Sequence, residues 1–325
     1  MKQPFYLINN RQYTLLADYN TELFLEDNQN YLFDLSYLSI IHVIGDNAAT
    51  FLQGQLTCDI RDVTTSTMRQ GALCNLKGRI QALLDIVNPR GYQLILAADL
   101  VADTVASLSK VAMLSRVKLQ AITDYKVYGF YLTNDCGLLP AGIKLPQIKY
   151  ALSVNGESYC YSLGEKLFII VIPSAQHAEL TEPFINMKKL RGSLAWHRLQ
   201  IASKQIQIYP DTRGLFLPHR LDLHRNGYIS FDKGCYKGQE IIARTHYRAK
   251  LKHSLEVFKI STNESISAGK KLMNSSRQSE VGEIVDYCPL PNKDEFLIAA
   301  SVLHDYPPTV FIEGQQDAIT LERVI

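Results

Sequence analysis

The chain has 325 residues, 46% of them hydrophobic and 20% charged, with a formal net charge of +2. That length exceeds what one hydrophobic core usually organises, so two or three domains are expected, and the composition excludes a disordered chain. No apolar run is long enough for a signal peptide or a membrane span, and six scattered cysteines form neither a zinc pattern nor a disulfide framework, so a cytoplasmic protein with reduced thiols and no membrane partner is expected.

Taken in chain order, NAATFLQGQL (47–56) reads as a short helix with Asn47 as its cap and Phe51 and Leu52 facing inward. It leads to QGALCNL, a turn at Lys77-Gly78, RIQALLDIV, a second turn at 89–91 and YQLILAA, three strands joined closely enough to be antiparallel. Asp99 opens a helix whose stripe is expected to be Leu100, Val101, Val105, Leu108, Val111 and Leu114. The strands VKLQAI and KVYGFYLT complete an α+β layer, helices over an antiparallel sheet.

After the Gly/Pro-containing break 137–146, strands are expected near 150–154 and 167–172. Next come a helix opened by Ser174 and limited by Pro183, and another over 193–203 that holds the only tryptophan, Trp196. From about Leu251 the pattern changes to five β-type runs separated by turn-rich pieces, which predicts a small C-terminal β-barrel. The expected division is 1–120, an α+β first part, then 121–248, a second α+β part, and 249–325, the barrel.

Charge is distributed unevenly. Between Arg213 and His253 stand nine Lys or Arg against three acids, a local charge of +6 that points to an anionic ligand or partner or to a solvated basic face. Inside this stretch, a strand at 228–231 is expected to enter a loop with Gly234 and Gly238 and with Lys233 and Lys237 on either side of Cys235, then a helix starting near Lys237. Flanking ammonium groups and a helix start favour a thiolate, which makes Cys235 the candidate reactive thiol. On residues alone, Cys235 is otherwise a small apolar residue packing a strand-to-helix corner.

The segment K-G-C-Y-K-G-Q-E (233–240) resembles the K-G-C-Y-x-G-Q-E signature of the YgfZ family, folate-binding relatives of the glycine-cleavage T protein, with Lys233, Gly234, Cys235, Tyr236, Gly238, Gln239 and Glu240 filling every fixed position. FLQGQLTCDI (51–60), LCNLKGRI (73–80) and FLP (216–218) are similar to further family elements in order and spacing. The resemblance implies an α+β, T-protein-like ring of three domains with a folate site facing the central opening. It also implies a tetrahydrofolate-binding helper that supports assembly or repair of iron–sulfur client enzymes, including those that thiolate tRNA. In that reading Cys235 is the working thiol, Lys233 and Lys237 tune it, Arg244 and Arg248 hold the anionic folate tail, and Gln239 and Glu240 complete the cofactor-binding set.

Two positions depart from the T-protein pattern. The place of the aspartate that serves aminomethyl chemistry falls near Ala82, with Asp85 three residues on. The place of the pterin-holding glutamate falls at Ala202, with Lys204 where a glycine would stand. Weak folate binding, carried more by the tail than by the pterin, is the expectation. A folate-dependent one-carbon transferase is the enzyme alternative, favoured by a carboxylate facing the folate. An RNA-binding module is the third reading, favoured by aromatics interleaved with basic residues on one exposed face.

Overall fold

The computed structural model describes residues 4–164 and 166–324. Three sheets carry the architecture. The first is five-stranded and antiparallel, built on Arg69–Cys74, Ile80–Val87, Tyr92–Ala97, Leu38–Ile44 and Lys118–Ile122 in that spatial order. The second is six-stranded and joins Leu152–Asn155, Ser158–Gly164, Leu167–Pro173, Tyr125–Tyr131, Tyr31–Asp34 and Leu190–Arg191. It therefore recruits Tyr31–Asp34 from far upstream, and only Leu190–Arg191 runs parallel to its neighbour. The third is a seven-stranded antiparallel, barrel-like sheet formed by the segments from His253 to Arg323.

Helices cover these sheets where their apolar faces allow. The Ala48–Gln55 helix starts after Asn47, although the Asn47 side chain bonds the Ser115 carbonyl instead of capping its own helix. In the Val101–Leu114 helix the buried line is Thr104, Leu108 and Ala112, and Leu114 is 73% exposed. The expected stripe was thus rotated: Val111 and Leu114 face solvent, and the smaller Thr104 and Ala112 let the helix approach the sheet. Pro183 lies inside the His177–Asn186 helix, three residues short of its end, instead of stopping it. The strand Ser158–Gly164 was not anticipated; its side chains are nearly all buried, so it lacks the polar alternation that marks a half-exposed strand.

The Ser193–Ala202 helix is the hub of the core. Trp196 is fully buried against Phe33, and a Cβ added at Gly129 would lie 2.5 Å from its ring, which is why the strand beneath carries glycine there. No helix among the described residues is long and apolar enough to cross a membrane.

Candidate functional site

The three segments singled out above meet at one corner, and Thr57 ties them. Its hydroxyl donates to the Tyr228 carbonyl at 2.6 Å and accepts from Ala72 N at 2.8 Å, and its own carbonyl accepts from Ser230 N at 2.9 Å. Residues 228–231, expected as a strand, are therefore a loop held by isolated long-range bonds. Further along, Lys237 N donates to Gly54 O, at the end of the Ala48–Gln55 helix. Gly238 stands at φ +86°, where a Cβ would meet Asn75 O at 2.5 Å, and the facing Gly78 at φ +68° is less tightly enclosed, by the Ile242 and Ile241 side chains at 3.1 and 3.2 Å and Gly238 O at 3.3 Å. Glycine is required at both places because two turns touch backbone to backbone there.

Cys235 is exposed at the tip of this loop. Cys136 is the other exposed cysteine, and the remaining four are buried, with burial pushing the Cys58 and Cys74 thiols up to about 12. Lys233 is buried, and its ammonium donates to the carbonyls of Leu56 at 2.7 Å and Cys58 at 2.6 Å while lying 5.0 Å from the Tyr236 ring centroid. Burial brings its pKa down to about 8. It fastens the loop to the 56–58 segment, a different task from the tuning of Cys235 expected from its sequence position. The helix begins at Gln239, two residues after Lys237, so Cys235 lies four residues before it. Gln239 uses its side-chain oxygen to accept from Tyr236 N, which closes the loop. Glu240, Arg244 and Arg248 are exposed along the Gln239–Arg248 helix.

Behind that helix lies a group of rings. His246 stacks on Phe231 with centroids 3.8 Å apart, Tyr247 meets Phe231 edge-on, and His219 and His224 pack alongside. His219 is 2% exposed, neither of its ring nitrogens has a hydrogen-bond partner, and burial with the neighbouring imidazoles lowers its pKa to about 4. Among the described residues no group of three or more His, Cys, Asp or Glu is arranged to hold a metal ion.

A second feature was not read from the sequence. A cavity of about 500 Å³ is lined by Leu132, by Pro146, Gln147 and Lys149, by Ser162, Leu163, Gly164, Lys166, Leu167 and Phe168 of the second sheet, by Ser203, Lys204 and Gln205, and by Asn226 and Tyr228. Its volume falls in the range of small-molecule sites, and Lys149 and Lys166 give it an anion-attracting rim, beside Lys204, whose ammonium is paired with Glu256 at 3.2 Å. None of Lys233, Cys235, Lys237, Gln239, Glu240, Arg244 and Arg248 lines it. The connection from Asn226 to Gly238 nevertheless runs from the cavity wall directly into the thiol loop, with Thr57 pinning it midway. Ala82 is fully buried on the core face of its strand, whereas Asp85 is on the opposite, partly accessible face.

Comparison with known proteins places these features in context. No protein-family model matches the chain. It is 27% identical over 233 residues to the "tRNA-modifying protein YgfZ" of Colwellia psychrerythraea, covering 70% of this chain and 71% of that one. It is 27% identical over 245 residues to the protein of the same description from Yersinia enterocolitica, covering 74% of each. Among solved structures, the glycine cleavage system aminomethyltransferase T from Bartonella henselae superposes with a TM-score of 0.75 at 17% identity, over 98% of this chain and 93% of that one. That likeness speaks for the fold.

Proposed function

From the premise that this chain is a homologue of the YgfZ proteins on the fold of a glycine-cleavage aminomethyltransferase, we propose that it binds a reduced folate in the lysine-rimmed cavity and offers the Cys235 thiol to iron–sulfur client enzymes, including those that thiolate tRNA. The cavity is the observation that carries this reading. Its wall continues through Asn226 and Tyr228 into the loop that exposes Cys235, so occupancy of the cavity and the position of the thiol share one stretch of backbone. The anionic tail is assigned to Lys149 and Lys166, which line the cavity, in place of Arg244 and Arg248, which do not; Lys204 also lines it but is paired with Glu256.

Rescue of a strain lacking its own YgfZ-type protein tests the proposal, read as the fraction of a thiolated tRNA nucleoside. Cys235→Ser should lose rescue while the purified variant melts within a degree or two of wild type, because the thiol is exposed and the exchange is nearly isosteric. Full rescue by Cys235→Ser would remove the thiol from the function.

A second reading has its own observation. On the Gln239–Arg248 helix the exposed face presents Arg244, Tyr247 and Arg248, followed by the exposed Lys250, and Tyr247 is 69% exposed over the Phe231–His246 stack. An aromatic platform beside basic residues suits a single-stranded stretch of RNA. Binding of a short oligoribonucleotide that weakens in Tyr247→Ala without a change in its salt dependence would support this face as an RNA contact; binding unaffected by that variant would dismiss it.

A further inference from the structure

One aromatic residue beside the cavity stands in a backbone conformation that its size disfavours. Tyr150 has φ +68°, in the left-handed region where a bulky residue is an outlier that its surroundings must enforce. Two sheets enforce it. Tyr150 N donates to Ser162 O of the second sheet at 2.8 Å, and Met68 N, just before the Arg69–Cys74 strand of the first sheet, donates to Tyr150 O at 2.8 Å. The next residues continue the seam, with Ala151 bridged to Thr67 and Leu152 N donating to Ser66 O at 2.7 Å.

That backbone aims the side chain at the connection leading to Cys235. The Tyr150 hydroxyl donates to the Asn226 carbonyl at 2.9 Å. A Cβ added at Gly227, itself at φ +80°, would lie 3.2 Å from the same hydroxyl, so the 226–227 turn fits the phenol closely only with glycine there. Burial pushes the Tyr150 pKa up to about 12, which keeps the phenol a neutral donor at neutral pH. Cations flank its ring: Lys149 Nζ lies 4.8 Å from the centroid and the Arg69 guanidinium carbon 5.6 Å. Lys149 lines the cavity, and Tyr150 does not. One side chain of this pair therefore meets the cavity, and the other holds the start of the thiol connection.

We propose that Tyr150 is a positioning residue, a clamp on the 226–227 turn that steadies the Cys235 loop and is loosened when an anion in the cavity takes the Lys149 ammonium from its ring. The release step rests on the reading of the cavity as a reduced-folate site, in which Lys149 meets the anionic tail. A cation over an aromatic face draws electron density from the ring and makes its phenol a stronger donor. Withdrawing the cation weakens the bond to Asn226 and frees the turn. Linkage gives the converse: a ligand that loosens the clamp binds at least as tightly once the clamp is gone.

Alkylation of the full chain, followed cysteine by cysteine, tests this, with the exposed Cys136 as internal reference. In wild type, saturating tetrahydrofolate should raise the Cys235 rate by about threefold or more, the scale of one cation–ring contact, and leave Cys136 unchanged. Tyr150→Phe keeps the ring, both cations and the backbone and loses only the hydroxyl. Without ligand it should label Cys235 faster than wild type by the same factor, and tetrahydrofolate should add nothing further. Calorimetry should find it binding tetrahydrofolate no more weakly than wild type does, whereas damage to the wall alone would lower the affinity. Equal Cys235 rates in ligand-free wild type and Tyr150→Phe overturn the clamp. Tetrahydrofolate that binds wild type and leaves its Cys235 rate unchanged overturns the release step and leaves the folate reading standing. Absence of tetrahydrofolate binding to wild type overturns the folate reading and the release step with it, and the ligand-free comparison still decides the clamp.

Discussion

Asp85 and His219 pull the pH dependence of stability in opposite directions. Asp85 has its pKa raised by burial from 3.8 to about 6, so the native state holds that proton more tightly than the unfolded chain, and its contribution is full below 3.8 and lost as pH rises through about 6. For His219 burial moves the pKa down from 6.5 to about 4, so its contribution is full above 6.5 and lost as pH falls towards 4. Between these limits the two partly cancel. Melting temperatures from pH 4.5 to 7 should therefore fall more steeply on acidification in Asp85→Asn than in wild type, and less steeply in His219→Phe, which also removes two unpartnered ring nitrogens. Parallel curves for all three proteins would refute the assignment. Thiol counting gives a second check at this scale: the native protein should react with a thiol reagent at two of its six cysteines, Cys136 and Cys235, and at neither in the double Ser variant.

The thiol loop is an element with little regular structure, fixed by contacts between turns. Gly238→Ala places a Cβ 2.5 Å from Asn75 O in a left-handed backbone, which should cost about 1–3 kcal/mol in urea unfolding, near the cost of strained backbone elsewhere. A change below a few tenths of a kcal/mol would mean that the two turns do not touch as described. Lys233→Met, by removing both bonds to the 56–58 carbonyls, should raise the exchange rate of loop amides around Cys235 and leave those of the second sheet unchanged. Much of this corner was legible in the sequence because its parts are local: the glycines, the lysine pair and the following helix lie within the sixteen residues 233–248. What misled was the run 228–231, apolar enough for a strand, whose partners at Thr57 and Leu223 come from distant or irregular backbone that no periodicity reveals. The Val101–Leu114 helix misled differently, since its inward line uses Thr104 and Ala112 where Val111 and Leu114 carry the apolar signal.

At the scale of the whole molecule, the C-terminal barrel is joined to the rest through buried polar contacts. Asp286, fully buried, accepts from Gln207 N at 2.8 Å and pairs with His197 Nε2 at 3.1 Å, while Leu255 N donates to Asp222 Oδ2 at 2.8 Å. Asp286→Ala would strand Gln207 N and His197 Nε2, so it should cost several kcal/mol and still unfold in one transition; a separate early transition of the barrel would show that the domains are independent. The fold class and the barrel could be read from the order of strands and turns. The cavity could not, because its wall is assembled from five separate stretches between Leu132 and Tyr228, and no local pattern announces their meeting. Whether the cavity holds a reduced folate is decided by titration calorimetry of tetrahydrofolate into wild type and into Ser203→Trp, which fills the cavity from its wall. One binding site is expected in wild type and none in Ser203→Trp, at an unchanged melting temperature. Equal heats of binding in the two proteins, or none in wild type, would contradict it.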